Sequence, residues 1–259
     1  MKYKVFLDTS TLIAGSIFLT SKTIGLEIKD IFYEEARRLL ALIRKNINKR
    51  IGITTTVVEE EAYQVLSSAI ERKLNQKIAD RAKVFALLSV ATNACETRLR
   101  EILTFVVRDP IDPKESAKWH IQVAIMYDDL HKIALQLPKP AYMQADAVPN
   151  FLNKAEMFEI YKNQDECLKA QLTNLVYNPV EDSDKILLSQ AIYLFKLYKE
   201  TETGANITMY LCSTDHHFVP VRRMSYTSRQ VTQEIQKRFS IIAERPDEIF
   251  LTLKKEYGE

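Results

Sequence analysis

The chain has 259 residues, is 46% hydrophobic and carries a formal net charge of +2. That much apolar sequence can bury a sizeable core in one or two domains, and five glycines and eight prolines favour a helix-rich globular chain over a disordered or all-β one. A near-neutral charge carries no signature of a nucleic-acid binder on its own. Cys95, Cys167 and Cys212 are widely spaced and odd in number. They form neither a disulfide framework nor a metal pattern, which points to a reducing compartment and to small buried apolar roles.

The first apolar run, Val5 to Leu7, stops at Asp8, too soon for a signal peptide. No stretch reaches the ~18 apolar residues of a membrane span. A cytoplasmic protein is expected. Lys4 to Leu7 reads as a first strand ending at Asp8. A helix follows over about 29–46, with the stripe Phe32, Ala36, Leu39, Ile43. Arg50 to Thr54 reads as a short strand-like link. Thr55 or Thr56 can cap a second helix whose stripe is Val58, Ala62, Val65, Ala69.

The middle of the chain changes character. Over about 76–107 the stripe is Leu88, Thr92, Cys95, Leu99, Ile102, Val106. Over about 114–136 it is Trp119, Val123, Met126, Leu130, Ile133, Leu137. Steps of four and three are those of paired helices. Asp109-Pro110-Ile111-Asp112-Pro113 separates the two, and Leu137 to Pro149 breaks the chain again before a helical stretch ending near Val176. Residues 76–177 are expected to form a helical insertion or lobe, with completion of one compact domain as the alternative. Residues 1–75 and 178–259 then make the remaining domain. In its second part, Asp184 to Lys199 reads as a helix and Asn206 to Ser213 as a strand ending at Asp215. Phe239 to Ala243 reads as a last strand before a helix opened by Pro246. Strands joined through helices imply a mainly parallel sheet covered on its faces, an α/β fold with its ligand site beyond the carboxyl ends of the strands.

Asp8 and Asp215 both belong at that edge. Helical phase selects their companions. At about 100° per residue, Glu61 lies about 70° from the centre of its apolar stripe, Glu59 about 90° away on the other flank, and Glu60 points to solvent. The same test aligns Asp184 with Leu188, Ala191 and Phe195 and leaves Asp182 as a helix cap. Carboxylates without thiols or regular histidine spacing suit hard divalent cations, Mg²⁺ or Mn²⁺, as metal ligands. Asp8, Glu61, Asp184 and Asp215 converging would repel unless cations neutralised them or some took up protons, and such a cluster suits metal-assisted phosphodiester hydrolysis.

Phe6-Leu7-Asp8-Thr9-Ser10 resembles the opening strand motif of PIN-domain nucleases. Thr55 to Ala62 resembles the family's turn into a helix with an acidic residue, and Asp184 to Ala191 its third motif. Ser213-Thr214-Asp215-His216-His217-Phe218 resembles the fourth, and Ile241 to Leu251 the closing strand and helix. The resemblance covers the beginning and the final third of the chain. It implies a three-layer α/β/α sandwich and Mg²⁺- or Mn²⁺-dependent endoribonuclease activity on an RNA substrate. Asp8, Glu61, Asp184 and Asp215 would then be catalytic, with Thr9, Ser10 and Ser213 orienting them through hydroxyl hydrogen bonds. Glu61 and Asp184 stand much further apart than in compact members, so the partners and substrates of the small toxins of toxin–antitoxin systems are not carried over to this chain.

His216 and His217 read as packed or solvated loop residues, with phosphate or metal contact as the functional alternative for His217. Arg222 and Arg223 are placed to reach phosphate from the active edge, and Arg229, Lys237 and Arg238 to extend that surface. No glycine-rich phosphate loop is present, so no nucleotide cofactor is expected. A phosphatase using Asp8 as nucleophile would generally carry a second Asp where Ser10 stands. The competing expectation is an RNA- or protein-binding scaffold on the same fold with weak or no catalysis. Its helical region would serve as a homodimer or protein-partner surface.

Overall fold

Val5, Phe6 and Leu7 are consecutive and apolar, so a strand built from them needs cover on both faces. The computed structural model, which describes residues 2–20, 31–136, 180–202, 206–215, 217–219 and 226–258, places them fully buried in the central strand of a sheet. In chain order the elements are β1 (Lys2–Leu7), α1 (Thr9–Thr20), α2 (Ile31–Lys45), a 3₁₀ turn (Ile47–Lys49), β2 (Gly52–Thr55), α3 (Thr56–Lys77), α4 (Arg81–Leu103) and β3 (Val107–Asp109). There follow α5 (Pro113–Gln136), α6 (Asp182–Thr201), β4 (Ile207–Cys212), α7 (Tyr226–Phe239), β5 (Ile242–Glu244) and α8 (Pro246–Tyr257).

The sheet order is β3-β2-β1-β4-β5, and every neighbouring pair is parallel. The expected parallel α/β sheet is therefore present. Right-handed crossovers put the helices of β1→β2→β3 on one face and those leading back to β4 and on to β5 on the other. The packing agrees. Helices α1, α2, α3 and α4 pack among themselves with α8 on α2, whereas α5 packs on α6, α6 on β4 and α7 on β5. A methyl on Gly15 of α1 would run into Leu40 of α2, so glycine permits the close approach of these two helices.

Several expectations shift. Helix α1 follows β1 directly, in a stretch to which no element was assigned. Leu12, Ile13, Ala14 and Ile17 are all buried, so the helix lacks the apolar–polar periodicity that marks a surface helix. The stripe of α3 is Val58, Ala62, Leu66, Ile70, Leu74, not one through Val65, which is 38% exposed. Strand β3 and helix α7 are additions. Phe239 closes α7, and the last strand is Ile242–Glu244. Thr55 is the cap of α3, its hydroxyl accepting the Val58 N–H. Pro246 occupies the first turn of α8 as expected.

Residues 81–136, inside the stretch expected to be a helical insertion, supply α4, the sheet strand β3 and α5. The part of that stretch after Gln136, residues 137–177, with Cys167 and the helix expected to end near Val176, lies outside the described residues.

Candidate functional site

The sheet order reverses beside β1, because successive connections leave it first towards β2 and β3 and later return to β4 on its other side. At such a point the crossing helices diverge and leave a crevice at the carboxyl ends of the strands. The register Leu7↔Cys212 sets Asp8 and Ser213 side by side at that edge. A cleft of about 570 Å³ opens there, and Asp8, Glu61, Asp184 and Asp215 all line it. They arrive from four segments: the end of β1, the first turns of α3, the first turn of α6 and the end of β4.

Asp8 is buried and also caps α1, accepting the Thr11 N–H at 2.8 Å. Ser10 donates to its carboxylate at 2.9 Å, and the Ser213 hydroxyl donates at 2.5 Å. Ser10 in turn accepts the N–H and hydroxyl of Thr214, while Ser213 accepts the Asp215 N–H, each at 2.9 Å. These hydroxyls thus tie the ends of β1 and β4 together. Burial pushes the Asp8 carboxyl from an ordinary 3.8 up to about 7, against the opposing pull of the hydrogen bonds from Ser213, Thr11 and Ser10. Glu61 accepts the Thr9 hydroxyl. Glu60 is exposed, and Glu59 pairs with Arg108 at 3.2 Å.

His217 joins the other two acids. Its Nδ1 lies 2.8 Å from Asp184 Oδ2 and 3.5 Å from Asp215 Oδ1. Burial works against a charged imidazole, but the hydrogen bond to Asp184 and the charges of Asp215 and Asp184 outweigh it and raise the His217 pKa above its ordinary value. The Tyr127 hydroxyl donates to the His217 carbonyl at 3.3 Å. Burial, reinforced by Asp184 and Asp215, pushes that phenol well above its usual range and keeps it neutral.

Among the described residues, ligand atoms of Asp184, Asp215 and His217 lie within 4.8 Å of one another, a group able to hold a metal ion. Asp8 and Glu61, expected as direct ligands, line the same cleft outside that group and are held by Ser10, Ser213 and Thr9. Asp182, expected as a cap, sits in the first turn of α6 and pairs with Lys185 at 3.0 Å, with Glu181 at the cap position.

Sequence reasoning gave no role to Thr214, Tyr127, Arg72, Ser68, Glu181 or Gln190. Arg72 and Ser68 were within reach of it, because Glu61, Val65, Ser68, Ala69 and Arg72 recur at steps of four and three and all line the cleft. Gln190, buried on α6, accepts the Thr55 hydroxyl at 2.7 Å. No sequence signal announces that bond. Arg238 does not extend a phosphate surface, since it is committed to Glu234 at 2.9 Å and Asp129 at 3.2 Å. His216, Arg222, Arg223 and the Arg229 side chain lie outside the described residues. Cys95 and Cys212 are buried, and burial pushes the Cys212 thiol well above its usual range, as suits an unreactive packing residue.

No helix among the described residues is long and apolar enough to cross a membrane. Comparison of the chain with family models, with curated proteins and with solved structures gives no match.

Proposed function

We propose that this chain is a divalent-metal-dependent endoribonuclease with a PIN-like fold. The observation that supports it is the convergence of Asp8, Glu61, Asp184 and Asp215 from four chain segments on one cleft at the reversal point of a parallel sheet. The donor set fits a divalent cation. Asp184 and Asp215 would hold it, with the His217 imidazole alongside. A bound ion supplies charge neutralisation for a phosphodiester and an acidified water. Asp8, with a pKa near neutrality, can hold or release a proton at its carboxylate, and the hydroxyls of Ser10 and Ser213 fix its orientation. Thr9 fixes Glu61, and Arg72 on the same face of α3 places a positive charge at the cleft wall for substrate phosphate.

Purified protein with single-stranded RNA and Mg²⁺ or Mn²⁺ tests this. Cleavage is expected to need the ion and to fall roughly 100-fold or more in Asp8→Asn and Asp184→Asn. Undiminished cleavage in both variants refutes the reading, and cleavage of DNA alone refutes its substrate class.

A separate observation favours a binding role as the second reading. Ile121 and Ile125, one turn apart on α5, are 60% and 50% exposed. Apolar side chains this exposed suit contact with another macromolecule. Full cellular function in an Asp8→Asn/Asp215→Asn double variant would favour it.

A further inference from the structure

We infer that His217 is a nitrogen ligand of the cation site and sets its selectivity, favouring Mn²⁺ and later first-row divalent ions over Mg²⁺. This rests on the metal-dependent reading above and adds to it which ion the site takes.

His217 Nδ1 shares a proton with Asp184, and a cation bound at Nδ1 would release that proton to solvent. In an octahedral site with metal–ligand bonds of about 2.1 Å, adjacent donor atoms stand about 3 Å apart. His217 Nδ1 is 2.8 Å from one carboxylate oxygen and 3.5 Å from the other, distances that bracket this edge.

The backbone that carries the ring is also held in place. The His217 backbone N–H donates to Asp215 Oδ1 at 2.9 Å, and its carbonyl accepts from Tyr127. The next residue, Phe218, is 1% exposed, and its carbonyl accepts the Thr232 hydroxyl at 3.0 Å. The segment is therefore anchored on both sides of the imidazole, and a pre-positioned donor loses little freedom on binding.

The chemistry follows from the donor type. Mg²⁺ prefers oxygen ligands in near-ideal geometry and gives up its water reluctantly. Imidazole suits transition metals, whose affinities rise from Mn²⁺ through Co²⁺. Two carboxylates alone hold Mg²⁺ and Mn²⁺ with little discrimination; adding one nitrogen separates them.

The test uses the full chain and Mn²⁺ itself. Free Mn²⁺ is followed by electron paramagnetic resonance, and Mg²⁺ affinity is read by displacement of bound Mn²⁺. Mn²⁺ is expected to bind about tenfold or more tighter than Mg²⁺, and its spin-echo spectrum to carry modulation from a directly bound ¹⁴N. In His217→Ala the modulation disappears and Mn²⁺ binding weakens about tenfold or more, while Mg²⁺ binding changes by less than about threefold. The wild-type spectrum depends on no variant folding. Mn²⁺ bound without ¹⁴N modulation, yet lost in Asp184→Asn, overturns the role of His217 and leaves the metal-dependent reading standing. Equal weakening of both ions in His217→Ala likewise reduces His217 to an ion-pair tether. Failure of Mn²⁺ to bind saturably overturns both.

Discussion

The Ser213 hydroxyl donates to the Asp8 carboxylate, joining residues 205 positions apart in the sequence. Both ends are buried, so neither group can exchange this bond for water. Ser213→Ala is expected to destabilise the protein by about 1–3 kcal/mol, as for a buried group that loses its hydrogen-bond donor. Urea unfolding measures this, and a change under about 0.5 kcal/mol would show that the bond contributes little.

Asp8 makes stability depend on pH. Its carboxyl is raised from 3.8 to about 7 on folding, so between those values the folded chain holds a proton that the unfolded chain has released. The stabilisation is complete below about pH 4 and is lost as pH rises through about 7, a loss of a few kcal/mol at most. In Asp8→Asn this contribution is expected to be absent. Urea midpoints from pH 4 to 8 for the two proteins check it, and parallel curves would contradict the assignment.

Thr55 serves two helices at once. Its hydroxyl accepts the Val58 N–H at the start of α3 and donates to buried Gln190 on α6. Thr55→Val removes both bonds and is expected to cost about 2–4 kcal/mol, whereas Thr55→Ser keeps them and costs about 1 kcal/mol or less. Thermal melts of the two variants should separate clearly.

Glu60 and Glu61 are neighbours with opposite surroundings, one exposed and one on the cleft wall. If the cleft hydrolyses RNA, Glu61→Gln is expected to slow cleavage about tenfold or more, and Glu60→Gln to leave the rate within about twofold. A shared loss would point to net charge, and not to position.

A cation bound to the folded state alone stabilises it by mass action. At 100 times its dissociation constant, Mn²⁺ is expected to add about 2.7 kcal/mol. The melting temperature should rise in wild type and stay fixed in the Asp184→Asn/Asp215→Asn double variant.

The sequence made the sheet edge readable where a local pattern carried the information. Val5-Phe6-Leu7 followed by Asp8 marks a buried strand ending at a polar residue, and Thr55 with its polar neighbours marks a cap. Helix α1 escaped because burial on nearly every side erased its periodicity. Strand β3 escaped because three residues of mixed burial carry no alternation, and their state is decided by pairing with β2. The four acids could be named because each stands at an element end or on a helical flank. Their division into a group of Asp184, Asp215 and His217 and a hydroxyl-held Asp8 and Glu61 could not. That division depends on the placement of residues such as Ser213 and His217 relative to partners far away in the chain.

The strand order has a consequence for the chain as it is made. Strand β1 reaches full pairing only when β4 lies beside it, and β4 begins at Ile207. Until then the emerging polypeptide presents β1 as an open sheet margin, and Asp8 lacks Ser213, Asp215 and His217. Synthesis at about 5–20 residues per second makes this an interval of seconds or longer. A strand with Val5, Phe6 and Leu7 on an open margin is an invitation to associate wrongly. If the cleft is a nuclease, the same delay keeps it incomplete until β4 and His217 have been made.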